Sequence, residues 1–499
     1  MTLFNFKKRS DLRGELIAID AEFDLPFDIK RIFYIKKMDK LERGFHAHRK
    51  CVQILVPIQG SFTLKLFDGE KHSEFFLDKS NEGCTIPLYN WLKMSNFSSD
   101  CIIMVICSYK YDEDEYIRDY DLFLKEVQER KNTNKIVNFS LTEQTQIIKR
   151  EVMREIENII DTTSFVMGSK VKEFENNFSK FIGCKYTIGL SNGCAALKIA
   201  IKSLQLKNPK VLTQANTYVA VPLVCEETNT PYDIIDIDNN LLMDLNKLET
   251  YLIKCKDSNY DIIVVLVHLY GNSIDWDKLL ILKNKYNFKI IEDAAQAHGS
   301  TFKNIKLGNF GDLGCFSFYP SKNLGAFGEA GAIVTNNREY AEYVRYYRNY
   351  GSIKKYEWEI LGSNERIDNI QGAILNIKLK YLEEWNNKRI EKANIYKKNI
   401  KNKKIKLLET VNNCKSNFHL MIIISDERDK LKKYLEKNNI ICAIHYPQPF
   451  YETNAYKNKS LQYCEVMETY KNKLLSLPMY PELDNTSILF ICKIINNFE

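Results

Sequence analysis

The chain has 499 residues, 45% of them hydrophobic and 27% charged, with a net charge of +7. That length exceeds one ordinary core and sets an expectation of two or three domains, and the composition is that of a soluble globular protein. The mild positive balance comes without any helix-turn-helix, zinc-finger or ribonucleoprotein pattern, which excludes nucleic acid as partner; the basic run 397–406 reads as a solvated face.

The opening "MTLFNFKKRSDLRG" lacks the apolar core of a signal peptide. Apolar runs such as "CIIMVIC" and "DIIVVLV" are too short to cross a bilayer, so no membrane partner is expected. Thirteen cysteines with no CxxC pair read as reduced thiols in a cytoplasmic protein.

From about Ile32 to Tyr109, short β-forming runs ("RIFYI", "VQILVPI", "SFTLKLF", "SEFFL", "CIIMVICSY") alternate with turn residues, predicting a small β-sandwich or barrel. A polar stretch around 128–144 has no sustained apolar pattern and reads as a linker. Beyond it, "NGCAALKIAIKSL" has helical spacing, while "DIIVVLVHLYG" and "FKIIEDAAQ" read as strands. That rhythm predicts a parallel sheet flanked by helices, with a smaller lobe from about Glu383.

Within the β-rich part, "GFHAHRK" places His46 and His48 two residues apart, on one side of an extended segment. Such a pair in a small barrel suggests a metal-binding cupin. The glutamate sought four or five positions later is absent, Val52 and Gln53 standing there, and "PLYNWLKM" supplies no third histidine. No metal is therefore expected. What remains is a pair of imidazoles suited to moving protons near neutral pH.

In the second part, Lys322 follows an apolar strand inside a glycine-studded turn, where a buried ammonium is costly unless paired or neutralised. Asp293 ends "KIIED", at the carboxyl edge of a predicted parallel strand, where open α/β sheets bind ligands. Gly193 and Cys194 begin an amphipathic helix and can aim backbone N–H groups at a phosphate.

Together with "QANTYVAVPLV", "VHLYGN", "IIEDAAQAHGS", "GDLGCFSFYPSKNLGAFGEAGAI", "RNYGS" and "IHYPQP", these features resemble the DegT/DnrJ/EryC1 sugar aminotransferases over about 140–499. The resemblance implies an α/β fold-type-I architecture with pyridoxal 5'-phosphate as cofactor. It implies that Lys322 holds the cofactor covalently and shuttles a proton, and that Asp293 pairs with the pyridinium nitrogen. Gln296 would lie beside the phenolic oxygen, Tyr218 would stack on the ring, and Gly193, Cys194 and Ser317 would hold the phosphate. Many relatives carry threonine where Cys194 stands. Asn364 would reach a neighbouring subunit's phosphate, implying a homodimer or higher homo-oligomer, and His445 would approach the sugar nucleotide.

The stretches "RIFYIKKMDKLERGFHAHRKCVQILVPIQGSFTLKLFDG" and "FSSDCIIMVICSYKYDEDEYIRDYDLF" resemble nucleotide-sugar 3,4-ketoisomerases of the FdtA/QdtA type, which are cupins. By resemblance, His48 is the base, Tyr34 donates or relays a proton, His46 assists or orients, and Arg43 faces the pyrophosphate. That family often has histidine directly after the tryptophan; here Leu92 follows Trp91.

The expected organisation is an all-β cupin (β-sandwich or jelly roll) at 1–130, a linker at 131–144 and an aminotransferase domain at 145–499. The latter divides into a large subdomain to about 382 and a small one from 383. The expected activity is isomerisation of dTDP-4-keto-6-deoxy-D-glucose followed by amination at C3, with L-glutamate as donor. Two alternatives stand beside it. One is a 4-aminotransferase accompanied by a cupin of separate activity; the other makes the cupin a catalytically dead sugar-binding module.

Overall fold

Residues 3–21, 24–36, 41–133 and 135–499 are described in a computed structural model, which divides into two compact units at 135/136. The first unit runs through β1 (Leu3–Asn5), β2 (Lys7–Asp11), β3 (Gly14–Ala18), β4 (Arg31–Ile35), β5 (Arg43–His48) and β6 (Gln53–Gln59). It continues with β7 (Phe62–Phe67), β8 (His72–Leu77), β9 (Glu82–Ile86), β10 (Trp91–Ser95), β11 (Ile102–Cys107), β12 (Tyr116–Ile117) and the helix α1 (Tyr120–Thr133). Two five-stranded sheets form, β1-β9-β6-β11-β4 and β12-β5-β10-β7-β8, all of whose pairings are antiparallel. The strands beyond 32–109, and α1, lay outside the sequence expectation.

Alternation along the strands fixes three layers. Leu55, Leu64, Leu66, Leu92, Ile103, Val105 and Cys107 fill the space between the sheets, with Phe33 and Ile35 packed against them. Ile54, Val56 and Ile106 point the other way and meet Phe6 and Leu25. On the far side, Phe123 and Val127 of α1 cover Ala47 and Ile117. Tyr120, Phe123 and Val127 stand at i, i+3 and i+7, an apolar helical stripe inside what composition suggested was the approach to a linker.

The second unit is built on a seven-stranded sheet of β13 (Tyr186–Leu190), β14 (Pro209–Gln214), β15 (Tyr232–Ile235), β16 (Asp261–Val267), β17 (Lys289–Asp293), β18 (Leu313–Ser317) and β19 (Gly331–Thr335), in the order β13-β19-β18-β17-β16-β14-β15. Continuous apolar runs such as DIIVVLV are what a strand buried on both faces requires. The expected parallel sheet has one exception. β19 runs antiparallel to both neighbours, because the chain after Ser317 folds back through a loop with no helical crossover. That loop carries Lys322.

Residues of the expected linker adhere to the second unit: Ile136 bridges Ile440, and the Asn138 carbonyl accepts from Met479 N. Helix α2 (Thr142–Asp161) then begins, and the 31-residue α3 (Asn369–Asn399) leads to a second core around Tyr396, Ile423, Leu435 and Ile491.

Glu292 anchors the turn at 308–311 that leads into β18. Fully buried, it accepts from Gly308 N (2.6 Å), Phe310 N and Gly311 N (both 2.7 Å) and sits 2.8 Å from His268 Nε2. Glu292→Ala leaves three amides and an imidazole without their acceptor. It is expected to destabilise this unit by about 3–5 kcal/mol, read as an earlier denaturant transition of the larger unit.

Candidate active sites

In the first unit, His46 and His48 lie side by side on β5, with His48 buried. Their Nε2 atoms are 3.1 Å apart, and their ring centroids 4.9 Å. Each Nδ1 has its own acceptor. His46 Nδ1 is 3.0 Å from the Gly44 carbonyl, and His48 Nδ1 is 2.5 Å from Glu115 Oε1. Gly44 sits at φ 101°, where a Cβ would lie 2.6 Å from Leu92 Cδ1, so only glycine lets its carbonyl turn back onto His46.

Glu115 closes a 3-10 turn (Glu113–Glu115) and also accepts from Lys50 N (3.2 Å) and Cys51 N (3.3 Å). Tyr116, the next residue, pairs in register with His48, and its ring centroid lies 4.4 Å from that of His48 and 5.2 Å from that of His46. Arg31 Nη2 donates to the Tyr116 hydroxyl at 3.3 Å, and the Arg118 guanidinium covers the ring at 4.6 Å. Burial pushes His46 down to about 4; it also lowers His48, against the opposing pull of Glu115. Both imidazoles are therefore neutral at physiological pH.

Tyr34 requires a correction. Phe33 packs inward and lies opposite Val105, whereas Tyr34 lies opposite Met104 on the other face of β4 and is 62% exposed. A one-residue step along a strand reverses the face, so the phenol beside the histidines is that of Tyr116. The ground for setting a metal aside also changes. A carboxylate does stand by the pair, but it comes from Glu115, 67 positions after His48. One ligand atom each from His48, Cys51 and Glu115 lie within 4.8 Å of one another. Arg43 is exposed at the start of β5, and the guanidiniums bearing on the histidines are those of Arg31 and Arg118. Leu92, opposite His46 in register, is buried between the sheets, so the position after Trp91 presents an apolar side chain to the interior.

In the second unit, one cavity of about 690 Å³ is lined by Gly193, Cys194, Tyr218, Asp293, Gln296, Ser317, Lys322 and His445, eight residues singled out in the sequence. The helix Gly193–Ser203 opens on the cavity with Asn192 as its cap, the side chain accepting from Ala195 N at 2.9 Å. The cap leaves the N–H groups of Gly193 and Cys194 free to face an anion. Gly193 lies so close to Ser317 that an added Cβ would stand 2.7 Å from the serine Cβ.

Asp293, at the carboxyl end of β17, is buried and accepts from Ala295 N at 3.0 Å. Burial raises its pKa, with Lys322 opposing. Lys322 is lowered by burial, with Asp293 opposing. Gln296 accepts from Tyr270 N at 2.6 Å and donates to the Tyr446 hydroxyl at 3.3 Å. Tyr218 stands half-exposed with its ring 5.5 Å from that of Tyr446. His445 Nδ1 is 2.8 Å from Ser476 Oγ, and burial pushes the ring down to about 4. Asn364 lies outside this cavity, exposed, with its Oδ1 accepting from Arg366 Nε at 2.8 Å.

Sequence reading missed His419. Its Nδ1 donates to Asn323 Oδ1 at 2.9 Å, its ring is kept neutral by burial, and it lines the cavity beside Lys322. The only signal was its place in "NFHLM", before a buried strand. A lysine with a depressed pKa, a buried carboxylate and a helix N-terminus in one cavity are the donors that a phosphorylated pyridine aldehyde requires, so these residues fit that cofactor.

Comparison with known proteins agrees. The model of the DegT/DnrJ/EryC1/StrS aminotransferase family matches residues 146–496, and the model of FdtA (WxcM-like, C-terminal) matches residues 1–128. The chain is 34% identical to the dTDP-3-amino-3,6-dideoxy-alpha-D-galactopyranose transaminase of Aneurinibacillus thermoaerophilus, over 70% of this chain and 96% of that protein. It is 30% identical to the dTDP-3-amino-3,4,6-trideoxy-alpha-D-glucose transaminase of Streptomyces venezuelae, over 72% and 95%. The crystal structure of NtdA from Bacillus subtilis with bound cofactor PMP superposes with a TM-score of 0.64, at 26% identity, covering 69% of this chain and 81% of that one. The larger unit is a pyridoxal-phosphate-dependent aminotransferase of fold type I. Matched by that model along seven-tenths of its length and preceded by an FdtA-type cupin, the chain belongs to the DegT/DnrJ/EryC1/StrS aminotransferase family.

Proposed function

We propose that the chain isomerises dTDP-4-keto-6-deoxy-D-glucose to the 3-keto sugar in its first unit, and that its second unit aminates C3 with glutamate as donor. The observation carrying this reading is the neutral His46/His48 pair, backed by a buried carboxylate, on the same chain as an aminotransferase cavity. Moving a ketone from C4 to C3 requires removing the C3 proton and placing one on C4, which is work for a positioned, uncharged imidazole. His48 is the base and His46 its neighbour in the relay. Tyr116, beside both rings, takes the place foreseen for Tyr34. The two relatives named above act at a 3-amino position, which supports C3 over C4.

In the larger unit the bound cofactor supplies an electron sink for the carbon that carries the amine. Around it, Lys322 would hold the cofactor and carry a proton on its amine, and Asp293 would face the ring nitrogen and favour its protonated form. Gly193, Cys194 and Ser317 would hold the phosphate, Tyr218 would cover the ring, and Gln296 would lie beside the phenolic oxygen. His445 and His419 face the sugar nucleotide, and Asn364 reaches the phosphate of a second copy in a homodimer.

Two incubations of the purified chain with the 4-keto sugar test this. Without glutamate, the 3-keto isomer is expected to accumulate; with glutamate, 2-oxoglutarate is expected to appear as the keto sugar is consumed. An unchanged 4-keto sugar in the first, or no 2-oxoglutarate in the second, overturns the corresponding half.

A further inference from the structure

The two imidazoles are locked as tautomers, and the lock has a chemical consequence. The Gly44 carbonyl can only accept, so His46 Nδ1 carries the hydrogen. Glu115 accepts two backbone amides on Oε2 and turns Oε1 to His48 Nδ1, an acceptor for which Nδ1 supplies the hydrogen. Both Nε2 atoms are then bare lone pairs, yet they face each other at 3.1 Å. Two facing lone pairs repel, and a single proton between them turns repulsion into a hydrogen bond.

We propose that His46 and His48 form one shared proton seat, that Glu115 is the positioning residue that sets it, and that the seat returns to C4 the same proton it takes from C3. This rests on the isomerase reading above. The step balances without a co-reactant. The C3–H bond breaks and its electrons form the enediolate, while the proton bonds to one Nε2 and hydrogen-bonds to the other. The hydroxyl proton of O3 passes to the neighbouring O4. The N–H bond then breaks as C4–H forms, leaving the ketone at C3. Tyr116 and the guanidiniums of Arg31 and Arg118 cover the pair, and with both Nδ1 hydrogens engaged, the captured proton has no other nitrogen to occupy. A seat on one face of the ring also fixes stereochemistry. H3 and H4 of a gluco ring lie on opposite faces, so same-face return produces the galacto configuration.

The test uses the full chain, the 4-keto sugar deuterated at C3, ordinary water and glutamate. Most of the 3-amino product is expected to carry deuterium at C4, in galacto configuration. A 3-amino product with mainly solvent hydrogen at C4, or with gluco configuration, overturns the shared seat while leaving the isomerase reading intact. A 4-keto sugar left unisomerised in the absence of glutamate overturns both. Glu115→Gln is expected to slow isomerisation by about 10–100-fold with little change in KM, and to lower deuterium retention, as loss of an orienting carboxylate does elsewhere. A Glu115→Gln chain with the parent's rate and retention contradicts the positioning role. Facing lone pairs also suit a divalent cation, so isomerisation lost on chelation and restored by zinc would replace the proton seat with a metal.

Discussion

Lys322→Ala is expected to abolish amino transfer, by about 10⁴-fold or more, because one side chain serves as both covalent anchor and proton carrier. The amine sits in a cavity whose burial lowers its pKa, which shifts it toward the neutral nucleophile relative to the ammonium of a surface lysine. Lys322→Arg keeps a cation of similar reach but cannot lose its proton, and it is expected to be equally inactive. Two measurements check this: 2-oxoglutarate release, and the absorbance of the covalently held cofactor, which both variants should lose. Isomerisation, measured without glutamate, should continue in the first unit. A Lys322→Ala chain that still transfers amino groups at a comparable rate would contradict the assignment of the cavity.

The second large effect concerns His48. Removing its imidazole by His48→Ala is expected to lower isomerisation by about 10²–10⁴-fold. It also leaves Glu115, buried and acceptor-only, without its partner at 2.5 Å. The more conservative His48→Asn keeps a donor for Glu115 and separates loss of chemistry from loss of fold. If the units act in sequence, amination of the 4-keto sugar falls by the same factor, and supplying the 3-keto sugar restores it. Amination of the 4-keto sugar that continues undiminished would identify a 4-aminotransferase with an independent cupin.

The aminotransferase cavity was legible in the sequence because its parts sit at the ends of regular elements. Asp293 closes a buried strand, Gly193 opens a capped helix, and Lys322 follows an apolar strand; each position is a consequence of local pattern. His419 was not, since only the packing of the strand that follows it brings it to Asn323 and Lys322, nearly a hundred residues away in sequence.

The cupin was legible to a lesser depth. The HxH spacing placed both histidines on one face, but Glu115 ends a 3-10 turn and Tyr116 begins β12, and nothing local in the sequence ties either to His48. Tyr34 went astray for a different reason. Resemblance assigns a role to a position, while the face it occupies depends on strand parity, and the apolar alternation of Phe33 and Ile35 already indicated inward-facing neighbours. Helix α1 was missed because its apolar stripe is three residues wide and embedded in polar sequence.

The position of the new amine is the most direct reading of the whole account. A proton NMR spectrum of the sugar made from dTDP-4-keto-6-deoxy-D-glucose and glutamate should show nitrogen on C3 and a hydroxyl on C4. A spectrum with nitrogen on C4 would mean that the ketone never moved, and the two units do not work in series.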